Sequence, residues 1–265
     1  MKLSGHTTAD WLVPDWPAPE CVRALCTTRC GGFSTLPYDS LNLGSHVGDD
    51  GDTVARNRAV LQAATGVRSV FLNQVHGTQM LTLVPGAPDN LSADGAFTSE
   101  FGLACTVMVA DCLPILMCNG DGSMVAAVHA GWRGLAGVGG IGILEQAYQR
   151  FWPLAHVGYA QPATEMIAWL GPCIGPDTFE VGAEVVTAFS QTHPDALQYF
   201  KVRPGGKWLA NLPALARQRL NALGITQVFG NGGSPQWCTV SNPSRFFSHR
   251  RDGVSGRQAA CIWLE

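Results

Sequence analysis

Charge is scarce in this sequence. Asp, Glu, Lys and Arg supply 14% of its 265 residues, against roughly 25% in an average soluble domain. The 20 acidic and 17 basic side chains leave a net charge of −3. A basic face for nucleic acid is therefore not expected. No run approaches the roughly 20 apolar residues that a membrane span requires, so no membrane association is expected either. Residues 1–19 lack a basic stretch followed by an apolar core. That predicts no secretory leader and a cytoplasmic location.

Several motifs are missing too. There is no GxxxxGK[ST], no GxSxG and no HExxH, which removes the usual support for a Walker ATPase, an α/β-hydrolase and a zincin protease. A zinc nucleobase deaminase needs HxE followed by PCxxC, and no CxxC occurs. One GxGxxG spans 137–142. A Rossmann turn leaves its strand directly, whereas here the preceding strand is expected to end near His129. The glycines are read instead as a loosened helix entry.

What the chain does have is apolar residues (46%), 31 glycines and nine cysteines. An odd cysteine count without regular spacing or a leader reads as buried thiols and a ligand, not as a disulfide framework. Short apolar segments bounded by turn residues predict strands over 22–28, 70–75, 80–84, 103–109, 115–118, 124–129, 166–170, 227–229 and 259–263. Helices are expected over 53–65, with Asp52 as N-cap and Gly66 as stop, and over 143–151, ending before Pro153. Two more are expected, over 180–192 and over 212–223 with Asn211 as N-cap. The fold class expected is α+β with mixed sheets: an N-terminal extension over 1–21 and a single catalytic domain over 22–265.

Three apolar segments end in reactive residues: Asn73-Gln74-Val-His76, Ala110-Asp111-Cys112-Leu-Pro114 and His129-Ala-Gly131-Trp132-Arg133-Gly134. Neighbouring strands ending on one edge would bring His76, Cys112 and His129 together. Two imidazoles and a thiolate form a zinc set with an open fourth position. The same residues also read as a cysteine hydrolase, with Cys112 as nucleophile and a histidine as base. In the plainest reading, Cys112 is a packed small hydrophobe and Asp111 a turn residue.

These segments, with Gly171-Pro-Cys173-Ile-Gly175, resemble the YfiH-type family, also called the laccase-domain or multi-copper polyphenol oxidoreductase family. Thr28-Arg29-Cys-Gly-Gly32, Leu41-Asn42-Leu-Gly44 and Phe247-Ser248-His249-Arg250-Arg251-Asp-Gly253 through Arg257 extend the likeness from about Val22 to the C-terminus. The resemblance implies a sandwich of mixed sheets with flanking helices, related to cytotoxic necrotizing factor. It implies zinc on His76, Cys112 and His129, and phosphorolysis of adenosine, inosine, guanosine and methylthioadenosine to base and ribose 1-phosphate. Adenosine deamination and action as a peptidoglycan-precursor amidase are also ascribed to the family. Two departures stand out. The 137–142 glycines loosen the helix entry beside His129, and Pro176-Asp-Thr178 replaces a further cysteine pair, leaving Cys173 a packed thiol.

The copper in the family's name can be tested by counting. A four-copper oxidase needs about ten histidines, mostly in His-x-His pairs; this chain has seven and no such pair. Copper could still occupy the three-ligand site, making polyphenol oxidation a side activity. Phosphorolysis needs nucleoside and phosphate as small-molecule partners, and arginine suits the phosphate. Arg29, Arg133 and Arg250 are the expected contacts, with Arg251 and Arg257 further candidates. Gln74 and Asn42 are expected on base or ribose, and Asp111 as base or partner to a ligand histidine.

Overall fold

Strands that read as unbroken apolar runs need cover on both faces, and residues 103–109 and 113–119 are buried throughout. The cover is visible in the computed structural model, which describes residues 10–155 and 166–265. One sheet orders β1 (Val22–Cys26), β13 (Gln258–Leu264), β5 (Leu103–Val109) and β2 (Arg68–Phe71). The second orders β12 (Gln227–Gly230), β8 (Met166–Leu170), β6 (Leu113–Asn119), β7 (Val125–Ala130), β4 (Gly95–Thr98) and β3 (Met80–Thr82). Both are mixed: β13 runs antiparallel to β1 and β5, while β2 pairs parallel with β5. In the second sheet β6 is antiparallel to β7 and β8, while β12–β8 and β3–β4 are parallel pairs.

The period of two along each strand then assigns its side chains to layers. From β5, Leu103, Cys105 and Val107 meet Leu116 and Cys118 of β6 between the sheets. Ala104 and Met108 point the other way, toward Leu61 and Ala64 of α1 (Gly51–Thr65). From β6, Leu113, Ile115 and Met117 pack under α2 (Trp132–Ala136), α3 (Ile143–Ala155), α4 (Ala183–Ser190) and α5 (Leu212–Ala222). The result is the expected α+β sandwich of mixed sheets, layered helix, sheet, sheet, helices. A small sheet of β10 (Phe200–Arg203), β11 (Lys207–Ala210) and β9 (Glu180–Val181) flanks it, and a short α6 (His249–Asp252) precedes β13. No helix among the described residues is long and apolar enough to cross a membrane.

Several boundaries move. Asp50, not Asp52, caps α1, accepting from the Thr53 amide at 2.8 Å, while Asp52 sits in the first turn, where a negative charge suits the helix dipole. Gly66 ends that helix as expected, at φ 73. Helix α3 continues past Pro153 to Ala155. Residues 180–192 divide: Glu180 and Val181 pair with Leu209 and Trp208, and the helix starts only after Gly182. Part of the expected extension packs on the first sheet, with Trp11 buried and Leu12 bridged to Cys26; residues 1–9 lie outside the described residues, as do His6 and His156.

The 137–142 segment is a packed turn, not a loosened helix entry. Val138 and Ile141 bridge each other, and Gly137, Gly139 and Gly140 have φ of 66, 59 and 82, a region side chains resist. The buried Arg219 of α5 donates to the Gly140 carbonyl at 2.6 Å and is paired with Glu145 of α3 at 2.8 Å. Glu145 also accepts from the Gly142 amide at 2.7 Å.

Candidate metal centre and its pocket

The three expected ligands come from both sheets. β5 of the first sheet passes to β6 of the second through three residues, Ala110, Asp111 and Cys112. Cys112 therefore sits where the sheets are stitched together. His129 lies on β7 beside β6, opposite Pro114. His76 follows β2, in a loop held to β5 by Gln74, whose amide donates to the Met108 carbonyl at 2.8 Å and accepts from its N–H at 2.7 Å. The three donor atoms lie within 4.8 Å of one another. Cys112 Sγ is 3.6 Å from His76 Nε2, and the imidazoles meet edge to face, centroids 4.8 Å apart.

Asp94, just before β4, organises two of the three ligands and was not expected. It is fully buried. Its Oδ1 receives His129 Nδ1 at 2.8 Å and the His76 N–H at 2.9 Å; Oδ2 receives the Gly77 and Val75 amides at 2.7 and 3.2 Å. Burial alone would raise this carboxyl, but the hydrogen bonds from His129, Gly77 and His76 hold it below the usual carboxylate range. With Nδ1 committed to Asp94, His129 presents Nε2 to the cluster, the arrangement that fixes a metal-binding imidazole. In a single sequence Asp94-Gly95 looks like an ordinary turn pair.

Without an ion, Cys112 and His129 stabilise each other as thiolate and imidazolium. Burial opposes charge on Cys112, yet His129 and His76 pull its pKa down from 9.0 to about 6. Burial likewise opposes charge on His129, but Cys112 and Asp94 raise it from 6.5 to about 9. Cys112 is thus poised as a thiolate, the form that binds metal. Burial pushes the thiols of Cys26, Cys105, Cys118, Cys173 and Cys261 up instead. Gly131 makes the approach feasible: a Cβ there would stand 2.8 Å from His76 Cδ2 and 3.2 Å from Cys112 Sγ. Two imidazoles and a thiolate fit a zinc-class or copper-class ion. Among the described residues no second group of three His, Cys, Asp or Glu could hold an ion, so a multi-copper centre lacks its donors there.

The cluster opens into a pocket of about 450 Å³. Met108, Trp132, Ile174, Phe179 and Leu212 give it apolar walls; His46, Gln74, Asp111, His249, Arg250 and Arg257 give it polar ones. Asp111, at φ 96, turns its carboxylate to Thr239 Oγ1 and the Arg250 N–H, each at 2.6 Å. It thereby ties the sheet crossing to α6. Gln74 lines the pocket with its amide already engaged.

The structure does not bring Arg29, Asn42 or Arg133 into the lining. Arg29 is held by Asp39 and the Pro243 carbonyl beside a separate depression. Asn42 is buried, its Oδ1 accepting from the Gly44 and Arg257 amides at 2.9 Å. Arg133 is exposed and stacked on Trp132. Arg251 donates to the Thr239, Val240 and Phe246 carbonyls. Arg257 and His46 belong to the wall instead; His46, in an unremarkable Gly-Ser-His stretch, carries no local motif.

Residues 23–265 match the family model described as multi-copper polyphenol oxidoreductase laccase. The chain is 46% identical over 258 residues to a purine nucleoside phosphorylase of Pseudomonas aeruginosa, covering 96% of this chain and 98% of that one. It is 45% identical over 255 residues to the purine nucleoside phosphorylase YfiH of Escherichia coli, with the same coverage. Among solved structures, a Neisseria meningitidis DUF152 protein superposes with a TM-score of 0.85 at 45% identity, covering 97% and 99% of the two chains. YlmD of Geobacillus stearothermophilus gives 0.85 at 30% identity, covering 100% and 98%.

Proposed function

The chain belongs to the multi-copper polyphenol oxidoreductase laccase family, and on that footing we propose that it is a zinc-dependent purine nucleoside phosphorylase. In the reaction, adenosine, inosine, guanosine or methylthioadenosine gives free base and the sugar 1-phosphate. The observation that carries the reading is the His76–Cys112–His129 cluster, braced by Asp94, at the base of an apolar pocket that also holds two guanidinium groups. The phosphorylase names of relatives at 45–46% identity give the substrate class.

His76 Nε2, Cys112 Sγ and His129 Nε2 would hold the ion. When bound, a zinc-class ion supplies a Lewis acid with an open coordination position. The remaining work belongs to the chain. Trp132, Phe179, Ile174 and Leu212 bury the purine and exclude water from the glycosidic bond. Arg257 offers charge to the phosphate dianion. As the C1′–N bond breaks, its electron pair leaves with the purine; a phosphate oxygen forms the new bond to C1′, and the hydrogen phosphate proton ends on the base. Asp111 positions Arg250 and α6 through the contacts described above.

The reading includes hydrolytic deamination of adenosine in the same pocket, in which water replaces the 6-amino group and ammonia leaves. Chromatography of adenosine and inosine incubated with metal-analysed protein, with and without phosphate, tests both activities. Hypoxanthine from inosine only in the presence of phosphate is the expected result. Inosine formed from adenosine without phosphate reports deamination. Base release independent of phosphate would sink the phosphorylase reading.

A further inference from the structure

The pocket is polarised. One wall is aromatic and aliphatic, made by Trp132, Ile174, Phe179 and Leu212. Arg250 belongs to that wall: its guanidinium lies 5.7 Å from the Phe179 ring centre and donates to the Glu180 carbonyl at 3.0 Å. His46 and Arg257 also line the pocket, and Arg58 stands close enough to act on His46.

Arg257 is seated with care. Its N–H donates to Asn42 Oδ1 at 2.9 Å, and its carbonyl accepts from the Leu43 amide at 3.1 Å. Its aliphatic stem lies on Gly44, where a Cβ would stand 2.8 Å from Arg257 Cγ. Nη1 donates to the Ser255 and Gly256 carbonyls at 2.8 and 3.0 Å. No carboxylate among the described residues forms an ion pair with this half-buried guanidinium; Cys112 and Asp111 are the anions whose field reaches it. His46 has no hydrogen-bonded partner among the described residues, and Arg257, Arg58 and His129 add their positive field to the effect of burial in lowering its pKa. Arg257, without a carboxylate partner, and the exposed, unpartnered imidazole of His46 offer N–H donors to an oxyanion beside the reaction centre.

We propose that Arg257 and His46 form the phosphate subsite, with the purine on the Phe179–Arg250 wall. The assignment rests on the phosphorylase reading and makes Gly44 a positioning residue, since its missing side chain is the seat of Arg257. Arg250 is then a residue of the base end.

The test uses full-length, metal-loaded protein and two readouts: inosine phosphorolysis, and broadening of the ³¹P resonance of inorganic phosphate. Arg257→Gln should raise the KM for phosphate roughly tenfold or more while the KM for inosine changes by less than about threefold. His46→Gln and Gly44→Ala should move the phosphate KM in the same direction, and Arg257→Lys should recover part of the loss. Metal content should equal that of the unaltered protein in each variant. Arg250→Gln should raise the inosine KM instead. An unchanged phosphate KM in both Arg257→Gln and Gly44→Ala would overturn the assignment while leaving phosphorolysis standing. Conversely, phosphate broadening that depends on Arg257 in a protein that turns over no nucleoside keeps the subsite and rejects the phosphorylase reading.

Discussion

Asp94 reaches two ligands by different routes, one through a side chain and one through backbone amides. Replacing it with Asn retains the shape but sets an NH₂ group against donors. Asp94→Asn should weaken metal affinity about 10- to 100-fold, measured by competition with a chromophoric chelator. Gly131→Ala adds only the methyl group that meets His76 and Cys112. Because Gly131 sits at φ −69, an ordinary value, the backbone tolerates the change, and the expected result is a folded protein that no longer retains metal. The pair Cys112–His129 also predicts a pH window for the metal-free chain. The depressed Cys112 pKa contributes stability that is complete above 9.0 and lost as pH falls through about 6. The raised His129 pKa contributes stability that is complete below 6.5 and lost as pH rises through about 9. Thermal midpoints of metal-free protein should therefore peak between about pH 6 and 9 and fall on both sides.

Elements were legible where their signals are local. Asn211 caps α5 by accepting from Ala214, and β5 and β8 span the residues their apolar runs indicate. Elements whose existence depends on a distant partner were not. β4, β9, β10 and β11 carry short or mixed patterns and become strands only by pairing with β7, β11 or each other. The 137–142 turn belongs to the same class, since its order comes from Arg219, far away in sequence. Arg219→Ala leaves Glu145 and the Gly140 carbonyl without their buried donor. It should cost about 3–5 kcal/mol of unfolding free energy in denaturant titration, with the pocket-lining Trp132 on the adjoining α2 made more mobile.

For the molecule as a whole, cohesion comes from three apolar clusters that do not include the candidate ligands His76, Cys112 and His129. Stripping the metal with a chelator should therefore leave the far-UV circular dichroism and cooperative unfolding in place. It should lower the thermal midpoint, because an ion bound only by the native state stabilises it by mass action. Collapse of the circular dichroism would show that the ion is structural. The convergence of the candidate ligands was legible because His76, Cys112 and His129 each terminate an apolar segment. Its geometry was not: the three do not line one sheet edge but bridge two sheets, and the bracing Asp94 lies in a bend just before β4, a position without an apolar signature. Arg29 and Arg133 carried the right chemistry in family motifs, yet Asp39 holds one and Trp132 the other, away from the pocket.

The crossing at Ala110–Asp111–Cys112 has one more consequence. Packed sheets stand about 10 Å apart, and the four steps from Val109 to Leu113 reach only about 13–14 Å even fully extended, so the chain, bent at Asp111 (φ 96), makes the passage with little slack. A single insertion there would swing the thiolate out of reach of both imidazoles, and a deletion would pull the sheets out of register. Length variation among natural relatives should accordingly be missing from the crossing, the one stitch the protein has to keep tight.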